Sequence, residues 1–131
     1  MDEVVLLKEV VKGYRRADPP VLKGISMKLY NKTVTFVCGP SGVGKSTLLH
    51  IIGLMDASEK GDVYLLGEKV DLNLKDALSK NRLNHIGFMF QHHYLLENLT
   101  VKENICLPFW MKQGHVGSIP DLDYVDILGI A

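Results

Sequence analysis

Nine residues, Gly39-Pro40-Ser41-Gly42-Val43-Gly44-Lys45-Ser46-Thr47, constrain this chain more than any other stretch. The first eight fit the pattern Gly-x-x-x-x-Gly-Lys-[Ser/Thr] in full. At ordinary residue frequencies, a chain of 131 residues meets that pattern by accident about once in 200 cases. The flanks make accident rarer still. Before the loop, Val34-Thr35-Phe36-Val37-Cys38 is a short apolar run rich in β-branched residues, the pattern of a strand buried on both faces in a parallel sheet. After it, Leu48, Leu49, Ile51, Ile52, Leu54 and Met55 almost encircle a predicted helix from Ser46 to Met55. Such a helix should be covered on most sides.

The residue types explain what a loop of this kind holds. Successive backbone N–H groups at a glycine-rich turn and helix N-terminus converge on anionic oxygens, and the helix dipole adds partial positive charge there. A side chain at Gly42 or Gly44 would obstruct a phosphate or the positive-φ backbone such a turn needs. Lys45 is placed to reach the β- and γ-phosphates, and the Ser46 hydroxyl to coordinate magnesium. The expected ligand is ATP with Mg2+, bound by Gly39 through Thr47. The loop does not choose among kinases, GTPases and transport ATPases. Position argues against a small nucleotide kinase, because 38 residues with strand patterns precede the loop here.

The rest of the chain reads as a globular protein. Hydrophobic residues make up 47% and charged residues 23%, which excludes a disordered chain. Fifteen basic residues offset fifteen acidic ones, so bulk charge gives no reason to expect a nucleic-acid partner. No apolar run approaches the ~20 residues needed to cross a bilayer, and Met1-Asp2-Glu3 does not open a signal peptide. Cys38 and Cys106 form no Cys-x-x-Cys pair and read as reduced core thiols in the cytosol. His92 and His93 have no cluster of Cys or carboxylates beside them that would make a metal site.

Strands are predicted at Val4–Val11 and Val21–Leu29, where Ile25, Met27 and Leu29 alternate with Ser26 and Lys28. Further strands are expected at Val63–Leu66 and Ile86–Phe90, with a polar loop over Asp56–Asp62 and a helix over Leu74–Asn84. Thr100-Val101-Lys102-Glu103 fits a capping box that starts a helix running toward Met111, with Pro108 expected to kink or interrupt it. A last segment, Leu122–Leu128, ends at Gly129.

With these residues in order, the chain resembles the nucleotide-binding subunits of ABC transporters, in particular the lipoprotein-releasing and macrolide-exporter type. The resemblance rests on Tyr14, Val21-Leu22-Lys23-Gly24-Ile25-Ser26, the phosphate loop, Gly61-Asp62-Val63 and Gly67. It continues through Ile86-Gly87-Phe88-Met89-Phe90-Gln91, Leu95-Leu96 and Leu99-Thr100-Val101-Lys102-Glu103-Asn104-Ile105. It covers nearly the whole chain, and the Phe-Gln segment followed by Leu-Thr-Val-x-Glu-Asn is far more specific than the loop alone.

The resemblance implies an α/β P-loop NTPase fold, present in part. Residues 1–33 would form a β subdomain, 34–98 the P-loop core up to the Q-loop, and 99–131 the start of a helical subdomain. It implies that Tyr14 stacks on adenine, and that Gln91 contacts magnesium and the attacking water and senses the membrane subunits. Lys45 and Gln91 would then be the catalytic groups present. The partners implied are an integral membrane permease and a second nucleotide-binding subunit, with the protein peripheral on the cytoplasmic face of the membrane. The family's Leu-Ser-Gly-Gly-Gln signature, its strand ending in Asp-Glu and its switch histidine have no counterpart in this sequence. The expectation is therefore that this chain binds ATP·Mg2+ and does not hydrolyse it alone. A short module that binds nucleotide or a partner without turnover is the other reading. Lys32-Thr33 also replaces the Gly-Glu that commonly precedes the P-loop strand.

Overall fold

The structure is a computed structural model that describes residues 2–15, 19–92 and 94–115. It divides into two compact units, Met1–Arg82 and Leu83–Ala131.

The first unit is built on a four-stranded sheet of β1 (Glu3–Lys12), β2 (Leu22–Tyr30), β3 (Lys60–Leu65) and β4 (Glu68–Lys69), in the order β2-β1-β3-β4. Every pairing is antiparallel. The first two strands fall where alternation places them. β3 and β4 come from beyond the phosphate loop, and the predicted polar loop gives way to strand at Lys60, three residues earlier than Val63.

Strand β1 lies between two neighbours, and its buried residues show how the chain meets that demand. Period-two alternation would bury Val5, Leu7, Glu9 and Val11 on one face. Instead Val5, Leu7 and Val10 are buried. Both ladders shift register between Leu7 and Val11, and Glu9 adopts φ 49°. One extra residue there carries a carboxylate out of the core and brings Val10 into it, which is what a β-bulge does. The Ser26 hydroxyl secures the bulge by accepting the Glu9 N–H at 2.9 Å and donating to the Glu9 carboxylate at 2.7 Å.

Helix α1 (Lys45–Ile52) follows the loop and buries Thr47 and Ile51. The nearly complete covering expected of it is not found: Leu49 is 52% exposed, and His50 is exposed too. Helix α2 (Lys75–His85) lies one residue from its predicted bounds and buries Leu78.

The two other predicted strands are corrected. Residues 34–38 and 86–90 take no regular secondary structure and belong to no ladder among the described residues. Val34 and Phe36 are 80% and 83% exposed, and Cys38 is exposed, contrary to the core thiol expected there. Met89 is 99% exposed. A strand is held by lateral neighbours, and local β-propensity does not replace them.

In the second unit, α3 (Val101–Gln113) starts at the predicted capping box. Thr100 N–H donates to Glu103 Oε2 at 2.7 Å, and Glu103 N–H donates to Thr100 Oγ1 at 3.3 Å. Pro108 removes one internal hydrogen bond but does not end the helix, which runs to Gly114 in a left-handed cap at φ 77°. Cys106 and Trp110, one turn apart, form its buried side. The predicted segment Leu122–Leu128 and its Gly129 lie outside the described residues.

The hydrogen bond from the Thr100 backbone, and then that from its hydroxyl, hold the Glu103 carboxyl below its ordinary value of 4.5. A depressed carboxylate stabilises the fold above its unfolded value, and that contribution is lost as pH falls through the folded value. The Thr100 amide resonance should therefore titrate with a midpoint below 4.5 and stop titrating in Glu103→Gln. A midpoint at or above 4.5, or titration surviving the substitution, would contradict the capping role.

Candidate phosphate and nucleotide site

The loop from Gly39 to Thr47 ends on the N-terminus of α1, and the backbone there is set by glycine. Gly44 is the N-cap residue at φ 104°, and Gly42 lies at φ 78°. A Cβ on Gly44 would also lie 2.8 Å from Val21 Cγ1 and 3.2 Å from Leu22 Cδ2. The start of β2 thus presses directly on the start of α1. Only a residue without a side chain fits between them in that conformation.

No side chain caps α1, and no acid lies in its first turn. The first N–H groups of a helix have no intrahelical partner, so this end offers donors and the positive end of the dipole to an anion. Lys45 Nζ donates to the carbonyls of Gly39 at 2.9 Å and Pro40 at 2.8 Å, folding its ammonium back across the loop. An ammonium carries three donors, so this arrangement uses two. Ser46 is exposed, whereas Thr47 is 8% exposed.

Tyr14 joins this group. Its hydroxyl lies 3.1 Å from Thr47 Oγ1, while the residue as a whole is 61% exposed. The structure therefore brings Tyr14, expected at the site by resemblance alone, to the helix end that carries the loop. Gln91 lies in the second unit and is exposed. Close to it in sequence, Phe88 stacks on Phe90 at 5.4 Å between centroids, and Tyr94 meets Phe90 edge-on at 4.8 Å.

Sequence reasoning passed over two residues near Tyr14, namely Lys12 and Asp56. They form an ion pair of 2.7 Å, and the Lys12 ammonium lies 5.3 Å from the Tyr14 ring centroid. No local pattern marked them, since Tyr14 lies past the end of β1 and Asp56 is 44 residues from Lys12. Another cleft of the first unit is lined by Glu59, Asp62 and Asp71 together with Lys60 and Lys69.

With the geometry in place, relatives decide the family. The model of the ABC transporter family matches residues 22–127. The chain belongs to that family. It is 43% identical over 108 residues to the lipoprotein-releasing system ATP-binding protein LolD of Aquifex aeolicus, covering 82% of this chain and 46% of that protein. To the macrolide export ATP-binding/permease protein MacB of Shigella flexneri it is 37% identical over 110 residues, covering 82% of this chain and 17% of that one. The fold agrees. The dimeric structure of the bacterial ABC transporter cassette MJ0796 aligns at TM-score 0.77 and 36% identity, covering 89% of this chain and 50% of the cassette. A post-hydrolysis dimer of the same cassette, bound to ADP and Pi, aligns at 0.76 with the same coverage. The chain thus has the P-loop NTPase fold of ABC cassettes in part, and it spans about half the length of its LolD relatives.

The tight fit at Gly44 gives a direct test. Gly44→Ala should weaken binding of inorganic tripolyphosphate by about fivefold to 150-fold, from backbone strain of order 1–3 kcal/mol at a functional turn. Calorimetric titration would measure it. Unchanged affinity would mean that the Gly44 conformation does not matter to phosphate.

Proposed function

We propose that this ABC-family chain binds ATP·Mg2+ at the Gly39–Thr47 loop and serves a transporter as its nucleotide-binding component. The observation that carries the reading is the uncapped N-terminus of α1, with Lys45 folded across the loop and Tyr14 anchored to Thr47. The loop amides and the Lys45 ammonium would receive the β- and γ-phosphates. The exposed Ser46 hydroxyl would hold magnesium, a hard cation that takes oxygen ligands; the family resemblance gives Gln91 a part in magnesium binding as well. Bound magnesium would neutralise phosphate charge. Tyr14, an exposed residue, would stack on the adenine.

For turnover, Lys45 would stabilise charge on the phosphoryl oxygens, and Gln91 would orient the attacking water. The sequence holds neither a Leu-Ser-Gly-Gly-Gln signature nor an apolar strand ending in Asp-Glu. We assign ATP binding to these residues and hydrolysis to a site that joins them with those groups. The permease would be met through the segment around Gln91 and α3, and a second nucleotide-binding subunit through the face of the loop. Nucleic acid is not a partner in this reading. Among the described residues, no helix is long and apolar enough to cross a membrane. On its likeness to an ATP-binding protein of a lipoprotein-releasing system, we place the chain at the cytoplasmic face of the membrane, held there by its permease.

Two substitutions separate the parts of the site. Lys45→Ala should abolish binding of ATP·Mg2+ and of tripolyphosphate in calorimetry, and retained affinity would mean the loop is misread. Tyr14→Ala should weaken ATP about fivefold to a hundredfold, the range of base–aromatic stacking, and leave tripolyphosphate unchanged. Equal loss of both ligands would remove Tyr14 from the base.

A further inference from the structure

Three ion pairs occur among the described residues, and one differs from the rest in burial. The side chain of Lys12 is 13% exposed, against 54% for Lys28 and 60% for Lys69 in the others. Lys12 Nζ donates to Asp56 Oδ1 at 2.7 Å and to the Ala57 carbonyl at 2.8 Å. Asp56 Oδ1 in turn accepts the Ala57 N–H at 2.8 Å, so the carboxylate is itself fixed by the loop after α1. An ammonium held this way cannot swing into water without leaving a half-buried carboxylate unpaired, which is costly.

That same ammonium lies over the Tyr14 ring, 5.3 Å from its centroid and within cation–π range. The other end of the ring is tied by the Tyr14 hydroxyl to Thr47 Oγ1 at 3.1 Å. A cation over one face and a hydrogen bond at the tip together fix both the tilt and the reach of the ring. Since Tyr14 is still 61% exposed, this support leaves ring surface open to a ligand.

We propose that Lys12, held by Asp56, is a positioning residue for the base of the nucleotide. It supports one face of Tyr14 so that the opposite face is presented, already oriented, to a purine. Its role is to lower the ordering cost of stacking, since a ring fixed beforehand loses little rotamer freedom on binding. The proposal rests on Tyr14 being the adenine platform. It adds that ATP affinity depends on a lysine that touches neither base nor phosphate.

The test compares ATP·Mg2+ with inorganic tripolyphosphate·Mg2+ by calorimetry on the full chain, in Lys12→Met, Lys12→Arg, Tyr14→Ala and the double variant Lys12→Met/Tyr14→Ala. Lys12→Met should weaken ATP about threefold to tenfold and leave tripolyphosphate unchanged. Lys12→Arg, which keeps a cation, should recover most of the loss. In the Tyr14→Ala background, Lys12→Met should have no further effect on ATP, because contacting residues are non-additive. Unchanged ATP binding in Lys12→Met, equal weakening of both ligands, or additive losses would each overturn the proposal. Equal weakening would mark Lys12 as a staple between β1 and the loop after α1. Should Tyr14→Ala fail to separate the two ligands, the adenine reading itself falls. Separation by Tyr14→Ala but not by Lys12→Met would overturn the role of Lys12 alone.

Discussion

The site depends on the contact between Gly44 and the start of β2. Val21 and Leu22 occupy the space where a Cβ on Gly44 would go, so the loop can close onto α1 only through a glycine at positive φ. The same two residues are tied to the sheet, because Val21 N–H donates to the Lys12 carbonyl at 2.7 Å and Leu22 pairs with Lys12 in the ladder. The sheet thereby sets where the N-terminus of α1 points. Lys12 lies at that junction, bonded through its backbone to the strand that supports the loop and through its side chain to the loop after α1.

From this junction, electrostatics does the rest. A helix that begins on glycine, with no cap and no acid in its first turn, keeps its donors and its dipole for an outside anion. Helix α3 shows the contrast. Thr100 and Glu103 satisfy its first amides and place a carboxylate beside them, so its N-terminus is closed to a phosphate. The two helices of one chain thus treat the same four orphan amides in opposite ways, one for ligand and one for stability.

What the sequence made legible follows from the range of the interactions involved. The phosphate loop, the capping box and the alternating strands are local patterns, and each appears where it was read. The bulge at Glu9 was not legible, because it is defined by the register of β1 against two partner strands distant in sequence. The exposure of Cys38, expected as a core thiol, was not legible either. An apolar β-branched run states what a strand would prefer, while burial requires neighbours that a short window of sequence does not contain. At the site, Lys45 and the glycines could be named from the motif. Tyr14 needed the family resemblance, and Lys12 needed the fold, since its partner Asp56 is 44 residues away.

The central claim is that the N-terminus of α1 is the anion site of this chain. It is tested most directly by following backbone amide resonances while tripolyphosphate and magnesium are added. Saturable shifts should concentrate at Gly42, Gly44, Lys45 and Ser46, with the amides at the start of α3 unmoved. Shifts absent from the loop, or as large at Glu103 as at Lys45, would contradict it.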